Sequence, residues 1–428
     1  MKIINIVPGF GGTFYCGNCL RDSAYIKTLD GLGHEAISLP IYLPLRTDNG
    51  LLNRETPVFY GAINIYLEQQ IPFLRKMPEW MEKFFNSRIF LRYAAKKAGS
   101  TRAKGLEGMT ISMLKGHEGY QREELNHLIE FLKAEKPDMV HLSNALLLGL
   151  AYKIKHELNI SVVCSLQDED VWVDAMSENY KDKVWKLMSQ KAKDVDAFVA
   201  VSHYYAELMK KKMSIRKDQL HVVHIGVNPA NYKYHNPNLA TPTIGYLSRI
   251  NKENGFEVLV DAFIKLKQKP GFKNVNLKVT GGKTGDDKRF INKQIRKLEK
   301  HDFVKDVEFI EDYRHEKLEE FFKSLTLLSV PVLSGEAFGL YQLESLSSGI
   351  PIVQPDLGAF PEIVNITKGG VTFHPNNSDA LAQKWEEILS DHEKINEMSM
   401  AGRKAVEEKF NILTLTENML RIYKQILE

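Results

Sequence analysis

The pattern that most restricts this chain's fold is an alternation of short apolar runs with helix-like segments, repeated in two series. Lys2 to Val7 reads as a buried strand, and the glycine loop Gly9-Phe-Gly-Gly12 follows it. A helix is expected from about Asn18 to Leu32, and Gly33 stops it before a second strand at Glu35 to Leu39. Runs at 137–142, 160–166, 195–201 and 221–225 continue the first series. Runs at 243–247, 276–280, 307–310, 325–333 and 351–354 make the second. Strands that alternate with helices pair in parallel, and near-continuous apolarity marks strands covered on both faces. Each series is therefore expected to form a Rossmann-like α/β domain.

At 428 residues the chain exceeds a single core and suits two domains. The polar stretch Gly226 to Pro242, rich in Asn and Pro, reads as the linker. The expected division is residues 1–228, joined by a terminal helix at about 412–428, against 243–408. Hydrophobic content of 43%, charged content of 26% and a net charge of +3 are ordinary, and they give no ground for nucleic-acid binding. Three cysteines, Cys16, Cys19 and Cys164, fit a reducing compartment better than a disulfide framework. No apolar run reaches the eighteen residues of a membrane helix, and the N-terminal run is too short for a signal peptide. A cytoplasmic enzyme is the expectation.

The chemistry concentrates at residues 325–353. Leu325 to Leu333 reads as a buried strand, and Leu340 to Ser348 as a helix closed by Gly349 and Pro351. Between them lies Ser334-Gly-Glu-Ala-Phe-Gly339, on a loop at the carboxyl end of a strand, where open α/β sheets bind ligands. Phe338, Gly339 and Leu340 form the first helical turn, whose free amides suit a phosphate. Glu344, one turn on, is placed to accept two hydroxyl hydrogen bonds from a ribose diol. Glu336, on the loop side, would face the next part of the ligand. A nucleoside diphosphate with a sugar attached fits this order of contacts.

The block Glu336-Ala-Phe-Gly-Leu-Tyr-Gln-Leu-Glu344, followed by Ser347-Ser-Gly-Ile-Pro-Ile-Val353 and Gly358-Ala-Phe-Pro-Glu-Ile-Val364, resembles the donor-binding half of the family 4 retaining glycosyltransferases. The resemblance implies the GT-B fold, two Rossmann-like domains facing a central cleft. It implies an acceptor on the N-terminal domain and a nucleotide sugar on the C-terminal one. It assigns Glu336 to the donor sugar, Glu344 to the ribose, and Phe338, Gly339, Leu340 and Gly282 to donor binding. Arg249, in Ser248-Arg-Ile-Asn-Lys-Glu-Asn-Gly255, matches the family arginine that neutralises the diphosphate, and a guanidinium binds two phosphate oxygens at once. Asn254 stands where the family has a lysine. Either Lys252 reaches in from a reshaped loop as the second cation, or Arg249 and backbone hold the charge alone. Gly11 and Gly12 would line the acceptor side or approach a phosphate. Gln167 stands about where the family carries a histidine against the transferred sugar; an amide donates and accepts but takes no proton. Transfer in this family is thought to need no protein nucleophile, because the departing phosphate takes the acceptor's proton. No cofactor and no metal is implied.

Other features are weighed beside these. Asp168-Glu-Asp170 could hold a divalent ion, but favourable acids at a helix start account for it more simply. Cys16 and Cys19 have the spacing of half a zinc site without the other half, and small residues lining the acceptor side are the plainer reading. Residues 71–98 interleave aromatics with Lys and Arg. They read first as a helix pair over the acceptor site and second as a peripheral contact with the inner face of an anionic membrane, near a lipid-linked acceptor. The expected activity is hexosyl transfer to a glycan, lipid-linked or small-molecule acceptor, in cell-envelope or polysaccharide synthesis. A sugar-nucleotide synthase, a sugar phosphorylase and a non-catalytic nucleotide or glycan binder remain open.

Overall fold

The structure is a computed structural model that describes residues 1–9, 15–42, 103, 105–311, 313 and 315–428. Gly11, Gly12 and the aromatic–basic stretch 71–98 lie outside the described residues.

Two compact units account for the chain. The first takes Met1–Gly12, Asn18–Val223 and Thr416–Glu428; the second takes Thr13–Gly17 and His224–Leu415. Among the described residues each holds one six-stranded sheet in which every pair is parallel.

In the first unit the strands are β1 (Lys2–Val7), β2 (Glu35–Pro40), β3 (Met139–Leu142), β4 (Ser161–Leu166), β5 (Ala197–Ala200) and β6 (Leu220–Val222), in spatial order β2-β1-β3-β4-β5-β6. Ile3, Ile4, Ile6, Val140, Leu142, Val162, Val163 and Phe198 are fully enclosed, as expected for strands covered by helices on both faces. The chain moves from β1 to β2 on one side and then to β3 on the other, so the strand order reverses beside β1. A polar chain runs through this core. His141 bonds the Tyr423 hydroxyl through Nδ1 and Ser165 Oγ through Nε2 at 2.8 Å, while the Tyr25 hydroxyl donates to that of Tyr423 at 2.8 Å. Burial lowers the His141 pKa to about 3, so the ring works as a neutral hydrogen-bonding group. Tyr423 lies on the terminal helix Ile412–Leu427.

The second sheet has the order β12-β11-β10-β7-β8-β9, with β7 Thr243–Leu247, β8 Asn276–Thr280, β9 Val307–Phe309, β10 Leu327–Leu328, β11 Ile352–Pro355 and β12 Gly370–Phe373. Two expectations need correction. The run Leu325 to Leu333 pairs as a strand only at Leu327 and Leu328. Pro331 has no amide to donate, and the Val330 N–H turns to the Gln354 side chain at 3.1 Å. Strand β12 was not expected; its sequence Gly-Val-Thr-Phe is short, with Val371 and Thr372 only half-buried. The stretch read as a linker is fastened to the second unit. His235 N–H donates to Ser348 O at 2.9 Å, and Asn238 N–H to Leu325 O at 2.8 Å. No helix among the described residues is long and apolar enough to cross a membrane.

Candidate functional site

In the second sheet the chain passes from β7 to β8 and β9 on one side, then returns to β10 and builds β11 and β12 on the other. The reversal falls between β7 and β10, and the loops leaving their carboxyl ends are Ser248–Gly255 and Val332–Gly339. This is the place where doubly wound sheets hold ligands. Glu336, Phe338, Gly339, Leu340, Glu344, Arg249 and Lys252 all come from these two loops and the helices that follow them.

The helix Leu340–Ser347 is buried at all eight positions, including the polar Gln342, Glu344, Ser345 and Ser347. Gly339 opens it with φ +87°, a left-handed conformation that few side chains adopt. A Cβ there would sit 2.9 Å from Glu336 Oε2 and 2.9 Å from Gln342 Nε2. Glycine at 339 therefore makes room for the Glu336 carboxylate. Amides at the start of this helix lack intrahelical acceptors by geometry and carry the positive end of its dipole. The Glu336 backbone is set by the loop after β11. Ala359 N–H donates to Glu336 O at 3.0 Å, and Gly358 packs so closely that its Cβ would meet Glu336 N at 2.6 Å. Gly358 was quoted in the sequence as part of a block but not as a positioning residue.

Glu344 is 3% exposed, and both of its carboxylate oxygens are engaged. The Tyr15 hydroxyl donates to Oε2 at 2.5 Å and the Tyr232 hydroxyl to Oε1 at 2.9 Å. Burial first, then the adjacent Glu344 charge, hold both phenols well above the ordinary tyrosine value, so they serve as proton-bearing donors. Sequence reasoning missed both tyrosines. They lie 329 and 112 residues from Glu344, and no local pattern marks either.

Arg249 is held in a fork. Its Nε and Nη2 donate to Asp287 Oδ2 and Oδ1, each at 3.0 Å, and Nη2 also donates to Thr284 Oγ1 at 3.0 Å. Asp287 is in turn bonded by the Thr284 amide at 2.8 Å and hydroxyl at 2.7 Å, a capping box on the 3-10 turn Gly285–Asp287 that leads into the helix Lys288–Lys300. Burial pushes the Asp287 carboxyl up, but the bonds from Arg249 and Thr284 outweigh it and leave the pKa below its ordinary value. Asp287 was not foreseen, although Thr284-Gly-Asp-Asp287 carries the spacing of such a box.

Asn254 is a loop fastener. Its Nδ2 donates to Ser248 Oγ at 2.8 Å and Arg249 O at 3.1 Å, and its N–H donates to Asn251 Oδ1 at 2.8 Å. Lys252 is exposed on the same loop, where its carbonyl accepts from Gly255 N–H at 3.0 Å. The carbonyl of Gly282 accepts from Ile250 N–H at 2.9 Å, and that of Gly281 from Tyr15 N–H at 2.8 Å. Gly282 thus braces the Arg249 loop by its backbone.

Gln167 belongs to the first unit, after β4. It is 5% exposed, its Nε2 donates to Ser143 O at 2.7 Å, and its Oε1 has no hydrogen-bond partner among the described residues. Beside it, Glu169 accepts from the amides of Ala145 and Gln167 and from the Tyr205 hydroxyl, each at 2.8 Å. Burial dominates even so and raises the Glu169 pKa to about 7. Asp168 accepts from Asn18 Nδ2 at 3.0 Å. Cys16 and Cys19 are disulfide-bonded and Cys164 is a buried free thiol, which corrects the expectation of unbridged cysteines.

A family model described as glycosyl transferases group 1 matches residues 228–405, and one described as glycosyltransferase family 4 matches residues 109–231. An uncharacterized glycosyltransferase of Methanocaldococcus jannaschii is 21% identical over 334 residues, covering 72% of this chain and 80% of that protein. Sucrose-phosphate synthase from Thermosynechococcus elongatus superposes with a TM-score of 0.72 at 17% identity, over 100% of this chain and 99% of that one. HepE of Anabaena, solved in complex with UDP-glucose, superposes with a TM-score of 0.68 at 15% identity, over 99% and 100%.

Proposed function

This chain belongs to the glycosyltransferases of group 1 and family 4, with the GT-B fold, and from that premise we propose that it transfers a hexosyl group with retention from a nucleoside-diphosphate sugar. The carrying observation is the convergence at the β7/β10 reversal. A buried carboxylate suited to a diol (Glu344), a helix start suited to a diphosphate (Phe338–Leu340) and a forked guanidinium (Arg249) lie on adjacent loops. HepE was solved with UDP-glucose, which supports a nucleotide sugar as donor.

In this reading Glu344 accepts from the ribose hydroxyls, and the amides at Gly339 and Leu340 meet the phosphates. Arg249 offsets the negative charge that grows on the leaving diphosphate, an interaction stronger in the transition state than in the ground state. Glu336, aimed by Gly339 and Gly358, accepts from a hydroxyl of the donor sugar. The acceptor is a glycan, a lipid-linked sugar or a small molecule. Cytoplasmic action in envelope or polysaccharide synthesis fits such acceptors, and the need for a metal is no part of this scheme.

Asn254 favours one second reading. The amide sits where the family lysine would add a cation, an exchange that a binder without transfer tolerates. Calorimetry with UDP, GDP and ADP, followed by hydrolysis and transfer assays on the matching sugar nucleotides, separates the two. Transfer with retained anomeric configuration, cut about a hundredfold or more in Glu344→Ala and Arg249→Ala, is expected. Binding without turnover would favour the second reading, and turnover that requires inorganic phosphate would point to a phosphorylase.

A further inference from the structure

Tyr15 sits where the nucleotide is expected to go. Its hydroxyl donates to Glu344 Oε2 at 2.5 Å, its amide is tied to Gly281 O at 2.8 Å, and the residue is 8% exposed. Two residues on, a Cβ at Gly17 would lie 3.3 Å from Leu340 Cβ and 4.0 Å from the Leu340 amide nitrogen. Tyr15 to Gly17 belong to the second unit and lie across the first turn of the helix Leu340–Ser347. The same short segment therefore covers both the carboxylate read as the ribose acceptor and an amide read as a phosphate donor.

A vicinal diol offers a carboxylate two O–H donors, and here Tyr15 and Tyr232 offer two, one to each oxygen. We propose that Tyr15 is an internal stand-in for a ribose hydroxyl, and that a nucleoside diphosphate binds by displacing the Tyr15 hydroxyl from Glu344. The inference rests on the donor reading of Glu344. Its physical reason is the cost of burying an ionised carboxylate without partners. Tyr15 in place keeps that carboxylate satisfied without nucleotide. A ribose hydroxyl then makes a near-even exchange instead of a net gain, so the native protein gains little from the ribose and releases nucleotide readily. Tyr232, which bonds the other oxygen from the polar stretch Gly226 to Pro242, stays in place and orients the carboxylate.

The test is calorimetric titration of UDP, GDP and ADP, and of their 2′,3′-dideoxy forms, into the native chain, Tyr15→Phe, Glu344→Gln and the double variant. The dideoxy forms leave the Tyr15 hydroxyl undisturbed. Tyr15→Phe should therefore raise the preference for the ribonucleotide over its dideoxy form by about tenfold, with dideoxy affinity within about twofold of native, the size of one hydrogen bond to a charged acceptor. In the double variant Tyr15→Phe/Glu344→Gln that gain should vanish. A strong preference already present in the native chain, unchanged in Tyr15→Phe and lost in Glu344→Gln, would overturn the stand-in and leave the ribose reading intact. A preference gained in Tyr15→Phe that persists in the double variant would overturn the ribose reading and the stand-in together. A second readout avoids any folding defect: with 3-fluorotyrosine at position 15, the fluorine resonance should shift on saturation with the ribonucleotide and not with its dideoxy form. Identical shifts with both would also overturn the proposal.

Discussion

Replacing Gly358 by alanine tests whether contact between two loops sets the Glu336 carboxylate. Gly358 has φ +60°, and holding an alanine there costs about 1–2 kcal/mol. Its Cβ would stand 2.6 Å from Glu336 N, 2.7 Å from Glu336 O and 3.1 Å from Gly335 Cα, and all three are backbone atoms that no rotamer can move aside. The loops must part by several tenths of an ångström, which adds about 1–3 kcal/mol by analogy with overpacked cores. Together these give roughly 2–5 kcal/mol, so unfolding of the second unit should come about 5–15 °C earlier. The Ala359 N–H to Glu336 O bond would stretch with it, and Glu336 would leave its place beside Gly339. Donor turnover should fall by at least tenfold at a temperature where the variant is folded. Gly285→Ala is the control, since a Cβ there meets nothing within 4 Å; it should stay within about 1 kcal/mol of native. The assays are calorimetric unfolding and sugar-nucleotide turnover. A Gly358→Ala protein that melts and turns over like the native one would refute the claim that this contact sets Glu336.

Two further outcomes concern charge. Arg249→Met should leave Asp287, whose side chain is 7% exposed, without its guanidinium, at a cost of about 2–4 kcal/mol after allowing for the bonds Thr284 still supplies. Because the native Asp287 pKa is depressed, its stabilising share is present above its ordinary value of 3.8 and is lost as pH falls through the depressed one. In the variant the loss should begin at higher pH, and urea midpoints of the second unit between pH 3 and 6 would check it. Glu169 runs the other way: with its pKa raised from 4.5 to about 7, its favourable share is complete below about 4.5 and is lost as pH rises through 7. The first unit should lose on the order of 2–4 kcal/mol across that window, and Glu169→Gln should flatten the slope; an equal slope in both proteins would contradict the assignment.

Most strands were legible because parallel strands covered on both faces read as unbroken apolar runs. The failures have local causes. At Leu325–Leu333 the apolar run is longer than the ladder, since Pro331 and the Gln354 side chain end the pairing that composition alone would extend. At β12 the strand is only four residues, Gly-Val-Thr-Phe, two of them not apolar, so it lacks the unbroken apolar signal. Within the site, Glu336, Gly339 and Glu344 could be read because one strand–loop–helix junction holds them all. Their partners could not be read in the same way. Tyr15 reaches Glu344 across 329 residues, and Gly358 reaches Glu336 through a turn after a different strand. Asn254 could be noticed as a departure from a pattern, but its bonds to Ser248 and Arg249 O appear only in three dimensions.

The helix Leu340–Ser347 explains why those partners exist. An eight-residue helix buried on every side gains most from apolar residues, yet this one carries Gln342, Glu344, Ser345 and Ser347 inside. Two of these are tied by local bonds, Gln342 Nε2 to Phe338 O at 2.6 Å and Ser345 Oγ to Ile350 O at 2.8 Å, while Ser347 Oγ has no hydrogen-bond partner among the described residues. The Glu344 carboxylate differs from them, because Tyr15 and Tyr232, side chains recruited from outside the helix, donate to it. Packing alone gives no reason to place an acid there and then bring two tyrosines to it, whereas a ligand that supplies hydroxyls does. Replacing Glu344 by leucine should therefore be tolerated by the fold better than Glu344→Ala, since it removes the buried charge and fills the space, while donor turnover falls by about a hundredfold or more in both. Thermal unfolding beside donor-turnover assays decides it. A Glu344→Leu protein that turns over the donor as the native chain does would mean that the acid serves the fold and not the ligand.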